Sequence, residues 1–241
     1  MSFVMSFAAL FFLSRFGVFL LQAFLVRVVP LRKDAKDAAS DAASEASDAS
    51  KPASGAEKST APSLGAKDYL FIGINQFVET AFIQQVWIIA KEVSFSDSFL
   101  LSVLYLPFSY LAYAIYTMGV ALLLLFADDF LYEHFHALLH KDRFLYDLVH
   151  RHHHRATRPT RGYIDAINET PLEMGGALVL NLFAIRILRP ILTLPSLALF
   201  LSMKATFAIV NHLDRGFEVS FYSSERHALH HARKTCHYGQ L

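Results

Sequence analysis

The chemistry open to this chain is set by its twelve histidines, all of which lie at or after residue 134, most of them in three short runs. In the first run, D-F-L-Y-E-H-F-H-A-L-L-H, His136 and His140 are four residues apart. That is one helical turn, so both imidazoles can reach one metal. Asp129 and Glu133 continue the same face toward the N-terminus, where a carboxylate can orient a ligating imidazole through its other ring nitrogen. The second run, L-Y-D-L-V-H-R-H-H-H-R, places His150, His153 and His154 at i, i+3, i+4, one stripe if the segment is helical. The third, S-E-R-H-A-L-H-H, repeats that spacing at His227, His230 and His231. His134 and His152 fall off these stripes and are expected not to be ligands.

Eight imidazoles so placed exceed what one tetrahedral zinc uses, and the count fits two metals better. Ligand type leaves the metal open, because imidazole suits iron, copper, zinc and nickel alike. The H-E-x-x-H signature of a zinc hydrolase is absent. Cys236 is the sole cysteine, which excludes an internal disulfide and a cysteine-based metal site. Oxidation of a C–H bond with dioxygen needs a redox metal that side chains cannot replace, and two irons in a nitrogen shell would serve. Two rivals fit less well. A loose histidine-rich tract has no reason to keep helical spacing, and a metal transporter would line its spans with ligands rather than only with acidic residues such as Glu79.

Positioning these runs needs a frame, and the rest of the sequence reads as membrane helices. The chain is 54% hydrophobic and 18% charged, with a net charge of +1. That balance is unusual for a soluble protein and is no footprint for nucleic acid. Residues 3–30 form an apolar run long enough to cross a bilayer, interrupted near its middle by Arg15. The run reads as a signal anchor. A cleaved signal peptide is the rival, but no basic residue precedes the run and no small-x-small site stands out after it. Residues 34–67 are a low-complexity Ala, Ser, Asp and Lys stretch that reads as a disordered linker. Four further apolar segments, roughly 69–90, 98–127, 172–189 and 191–210, read as two helical hairpins.

Arg27, Arg32 and Lys33 place the linker in the cytosol, and counting crossings from there brings every histidine run to the cytosolic side. Arg186 and Arg189 near the far tip of the second hairpin count mildly against a full crossing, and a re-entrant hairpin with snorkelling arginines is the alternative. The expected fold is all-α: an integral membrane helical bundle of two hairpins plus an N-terminal anchor helix, with a cytosolic helical cap carrying the histidines. The expected division is 1–33 anchor, 34–67 linker and 68–241 catalytic domain.

From about Asp128 to the C-terminus, the order H-x3-H, H-x2-H-H, H-x2-H-H resembles the fatty acid hydroxylase and sterol desaturase superfamily. Further matches are Leu145-Tyr146, Pro159-Thr160, Pro171-Leu172-Glu173, Asn211-His212 and Tyr238-Gly239-Gln240. The resemblance implies that His136, His140, His150, His153, His154, His227, His230 and His231 ligate two irons, with His212 and His237 as weaker candidates. It implies hydroxylation of a fatty acyl or sterol lipid with dioxygen and NAD(P)H in the endoplasmic reticulum membrane. A cytochrome b5-type donor and its reductase would be separate proteins, since no haem-binding H-P-G-G is present. Sterol C-5 desaturation and C-4 methyl sterol oxidation are the alternatives inside the superfamily; an impaired or truncated relative, or a metal-binding membrane protein without activity, is the alternative to an active enzyme. The chain departs from the pattern at Ala137 (usually Arg), Thr170 (usually His) and His237 (usually Asn), and it stops at Leu241 where relatives usually continue.

Overall fold

The structure is a computed structural model that describes residues 2–29, 62–103, 109–157, 159–213, 216–233 and 239. Most of the expected linker, residues 34–61, and the candidate ligand His237 lie outside the described residues. The long helices are α1 (Ser2–Val28), α2 (Ala66–Val103), α3 (Ser109–Lys141), α6 (Pro171–Leu188) and α7 (Leu194–Asn211). Between α3 and α6 come the short α4 (Arg143–Leu145) and α5 (Tyr163–Ala166), with a π turn over Tyr146–His150 and a 3-10 turn over His153–Arg155. After α7 a two-stranded hairpin, β1 (Glu218–Val219) with β2 (Tyr222–Ser223), leads into α8 (Ser224–Arg233).

The all-α membrane bundle expected from the sequence is what forms. Among the described residues four helices are long and apolar enough to cross a bilayer: α1, α3, α6 (continuing to Ile191) and α7. Their large apolar side chains point outward, including Phe12, Phe16 and Phe19 on α1, Leu111 and Ile115 on α3, and Val179 and Ile187 on α6. Such a surface is stable against lipid and would be a liability in water. The protein is a multi-pass membrane protein.

The segment expected over 69–90 is a longer helix and a less apolar one, and it is not among the four. α2 runs for 38 residues, and its interior carries Asn75, Gln76, Glu79 and Thr80, followed by Lys91 and Glu92. Several of these polar groups have partners inside the protein. Asn75 Nδ2 donates to the carbonyls of Ile167 and Glu169 at 2.9 and 2.8 Å. Glu79 Oε2 accepts from Arg15 at 2.6 Å, so the residue that interrupts the first apolar run is neutralised by the acid of the second. An unpaired charge at this depth would be costly.

Apolar faces of α2, α3, α6 and α7 meet in one core around Ile89, Leu124, Leu125, Ile185, Leu197 and Phe200. α6 approaches α3 closely at Gly176, where a Cβ would lie 2.6 Å from the Phe135 ring. Inside this core Lys204 of α7 pairs with the fully buried Asp128 of α3 at 2.6 Å. At the far tip of the α6–α7 hairpin Arg189 pairs with Glu92 at 3.3 Å, and Tyr116 donates to the Ile191 carbonyl at 2.7 Å. The tip therefore docks against α2 and α3. With 18 residues each, α6 and α7 are about 27 Å long, close to the thickness of a hydrocarbon core.

Candidate metal centre

The C-terminal ends of α3 and α7 and the N-terminal end of α6 come together, and all three histidine runs meet there. Local sequence explains each end. Thr170 caps α6, its hydroxyl accepting from the Glu173 amide at 3.3 Å and donating to the Val149 carbonyl at 2.7 Å. Pro171 follows in the first turn, where its missing N–H is no loss. Thr170, which replaces the family's usual histidine, thereby ties the start of α6 to the turn that carries His150.

The second run does not form the single stripe its spacing allows. A π turn ending at His150, followed by a 3-10 turn from His153, twists successive imidazoles apart. His150 and His154 join His136, His140 and His230 in one cluster, while His153 joins His212, His227 and His231 in another. The third run divides likewise, with His230 in the first cluster and His227 and His231 in the second. All eight boxed histidines are thus brought together with His212, and the second and third runs each contribute to both clusters. His134 is exposed and donates through Nδ1 to the Phe130 carbonyl at 2.7 Å. His152 is buried, but its Nε2 is 3.1 Å from Asn168 Oδ1 and 3.1 Å from Asp68 Oδ1, away from both clusters.

In the first cluster His150 Nε2 lies 2.9 Å from the Nε2 atoms of His136, His140 and His154. His230 Nε2 is 3.1 Å from that of His136 and 3.2 Å from that of His140. In the second, His227 Nε2 is 3.3 Å from His212 Nε2 and 3.1 Å from His231 Nε2. Hydrogen bonding among these nitrogens cannot account for the geometry. A neutral imidazole has one N–H, and that of His150 is engaged, Nδ1 donating to Glu173 Oε1 at 2.6 Å. Its Nε2 lone pair then faces three other ring nitrogens. Nitrogens bound at about 2.0–2.1 Å to one metal, at neighbouring positions, would be about 3 Å apart, so the donor set fits a cation at each cluster. His231 and His212 are oriented the same way, each Nδ1 donating to a backbone carbonyl, Ala156 at 3.1 Å and Ala208 at 2.8 Å.

Electrostatics favour ligation too. Burial, reinforced by neighbouring imidazoles, holds His153, His154, His227 and His231 well below the ordinary histidine range, hence neutral and able to bind metal. Beside them lies a carboxyl pair that the sequence reading did not single out as part of the site. Glu169 and Glu173 are both buried, and burial together with the Glu173 carboxyl drives Glu169 well above the carboxylate range. With His153 they form a third close group.

The sequence signal at Glu173 is T-P-x-E, which reads as a capping box; here its carboxylate turns to His150. The carboxylates expected to orient imidazoles from α3 are placed differently: Glu133 is exposed, and Asp129 is half-buried with Gly239 against it. A small cleft lined in part by Arg155, Arg161 and Asp165 also borders His153, His212 and His231.

The sequence model of the fatty acid hydroxylase family matches residues 120–241, half of the chain. The chain belongs to the fatty acid hydroxylase family. The matched region begins within α3 and takes in every clustered histidine, so both imidazole clusters, whose donor sets could each hold a metal ion, fall inside the family match. Members of the family are generally metal-dependent oxidoreductases. Comparison with curated proteins and with solved structures finds no match.

Proposed function

We propose that this protein is a membrane-bound di-iron oxidoreductase that hydroxylates a C–H bond of a fatty acyl or sterol lipid with dioxygen. The observation that carries the proposal is the sorting of nine imidazoles into clusters of five and four at one end of a lipid-facing bundle. One iron would be held by His136, His140, His150, His154 and His230, and the other by His153, His212, His227 and His231. When bound, the irons would reduce dioxygen and thereby supply the oxidising power that no side chain has.

The chain's own residues do the remaining work. Glu173 accepts a hydrogen bond from the Nδ1–H of His150 and so keeps the Nε2 lone pair on the cluster. The core of α2, α3, α6 and α7 excludes water from the lipid side. The small cleft beside Arg155 and Arg161 borders the second cluster at His153, His212 and His231. Electrons would come from a separate cytochrome b5-type protein and its reductase. Lys141, Arg143, Arg151, Arg155 and Arg161 flank the site, and this number of Lys and Arg residues favours a cytosolic face, as in an endoplasmic reticulum enzyme.

The deciding experiment is metal analysis of detergent-purified protein with Mössbauer spectroscopy on iron-57-grown material, followed by lipid turnover with a reductase. About two coupled irons per chain and a hydroxylated lipid are expected. Stoichiometric zinc with no turnover after growth in iron would sink the proposal.

A further inference from the structure

The N-terminal helix contacts the neighbourhood of the second imidazole cluster in a way a tether alone would not require. Gln22 of α1 accepts from the Tyr163 amide through Oε1 at 2.8 Å, and its Nε2 reaches the Arg161 carbonyl at 3.5 Å. These two residues flank Gly162, whose N–H donates to the His212 carbonyl at 2.7 Å, while Arg161 pairs with Leu213 in a single β-bridge. Gly162 has φ +61°, and a Cβ there would meet Gln22 Oε1 and a Leu213 methyl, each at 2.8 Å. The loop is thus clasped between α1 and the end of α7 with no room for a side chain at its centre.

Two further contacts fix the clasp. Arg15 and Tyr163 converge on Glu79 Oε2, each at 2.6 Å. Leu25 of α1 and Val29 just after it pack on Ile209, Val210 and Leu213, close in sequence to His212.

We propose that α1 is a positioning element of the second metal cluster, with Gln22 setting the 161–163 loop whose Gly162 amide holds His212. This rests on the reading of His212 as a metal-binding residue in the proposed function. It requires the N-terminal helix to stay with the mature protein, in contrast to a cleaved leader. His212 offers its Nε2 to the cluster from the C-cap position just past α7. A helix end frays unless its carbonyls are engaged, and the Gly162 amide engages this one.

The test is Fe(II) titration of the full-length apo-protein in detergent, comparing wild type with Gln22→Leu and with the conservative Gln22→Glu, which keeps the acceptor for the Tyr163 amide. Two metals should bind wild type. Gln22→Leu should bind one metal normally and the other about tenfold more weakly, and Gln22→Glu should recover most of that loss. Unchanged affinity of both metals in a correctly inserted Gln22→Leu protein overturns the proposal.

Amide exchange at Gly162 in the apo-protein gives a second readout that needs no metal and separates this idea from the di-iron reading. Faster exchange in Gln22→Leu supports the clasp, and unchanged exchange overturns it, even if wild type proves to bind no iron. Should Gln22→Leu fail to insert, replacing α1 by an unrelated apolar helix answers the same question: full second-site affinity in that chimera would refute a positioning role.

Discussion

The division of labour among individual imidazoles depends on what their outer nitrogens touch. His150 faces its cluster because Glu173 holds the opposite ring nitrogen, and outer partners of this kind typically matter 10–100-fold in metal affinity. Glu173→Ala is therefore expected to weaken the first metal by about that factor in an equilibrium titration, while Glu173→Gln, which can still accept through its amide oxygen, loses less. Neutrality of the buried rings also has a consequence for stability. His153, His154, His227 and His231 protonate far below the ordinary value of 6.5 in the folded chain. Once unfolded they take up protons as the pH falls through that value. The folded apo-protein should therefore keep its full stability above the ordinary range and lose it progressively on acidification. Thermal melts of apo-protein between about pH 8 and pH 5 check this; a midpoint that rises on acidification would contradict the assignment. Eight of the nine clustered histidines were legible because types and spacing are written in the sequence, whereas His212 was suggested only by the family resemblance. Their sorting was not legible, since it depends on a π turn and a 3-10 turn at Tyr146–Arg155 that spacing alone does not reveal.

Helices read from apolar runs came out in order, but their limits depended on polar partners that lie far off in the chain. α2 runs unbroken past Asn75 and Glu79 because these polar groups are satisfied by Ile167, Glu169 and Arg15, and it continues to Val103, so the segment expected over 98–127 is divided between the end of α2 and α3, Ser109–Lys141. α6 begins at Pro171 because Thr170 supplies its cap, a signal present in the sequence as T-P-x-E. Contacts between helices are a different matter. The approach of α6 to α3 turns on Gly176 facing Phe135, and no periodicity in either helix announces the pairing. Gly176→Ala should force the ring to move and destabilise the bundle by about 1–3 kcal/mol. Phe135→Leu in the same chain should return part of that loss, so a double-mutant cycle on melting midpoints reads the coupling directly. Additive effects would show that the two helices do not touch there.

At the scale of the molecule, all the described histidine clusters lie at one end of the bundle. Which side of the membrane that end faces is a prediction of the positive-inside rule. In a Cys236→Ser background, a cysteine replacing the exposed Lys141 should react with an impermeant thiol reagent only from the cytosolic side of sealed vesicles. Labelling from the lumenal side alone would invert the topology. The interleaving of the runs has a further consequence, for biogenesis. His140 and His150 can meet as soon as α3 and the turns after it have been made. But α8 brings His230 to one cluster and His227 and His231 to the other. A nascent chain still on the ribosome therefore has no complete nest for either ion until residue 231 has left the exit tunnel. Both clusters close late in synthesis, on a bundle whose earlier helices are already made, and an arrested chain ending before α8 would leave the translocon with two open half-clusters.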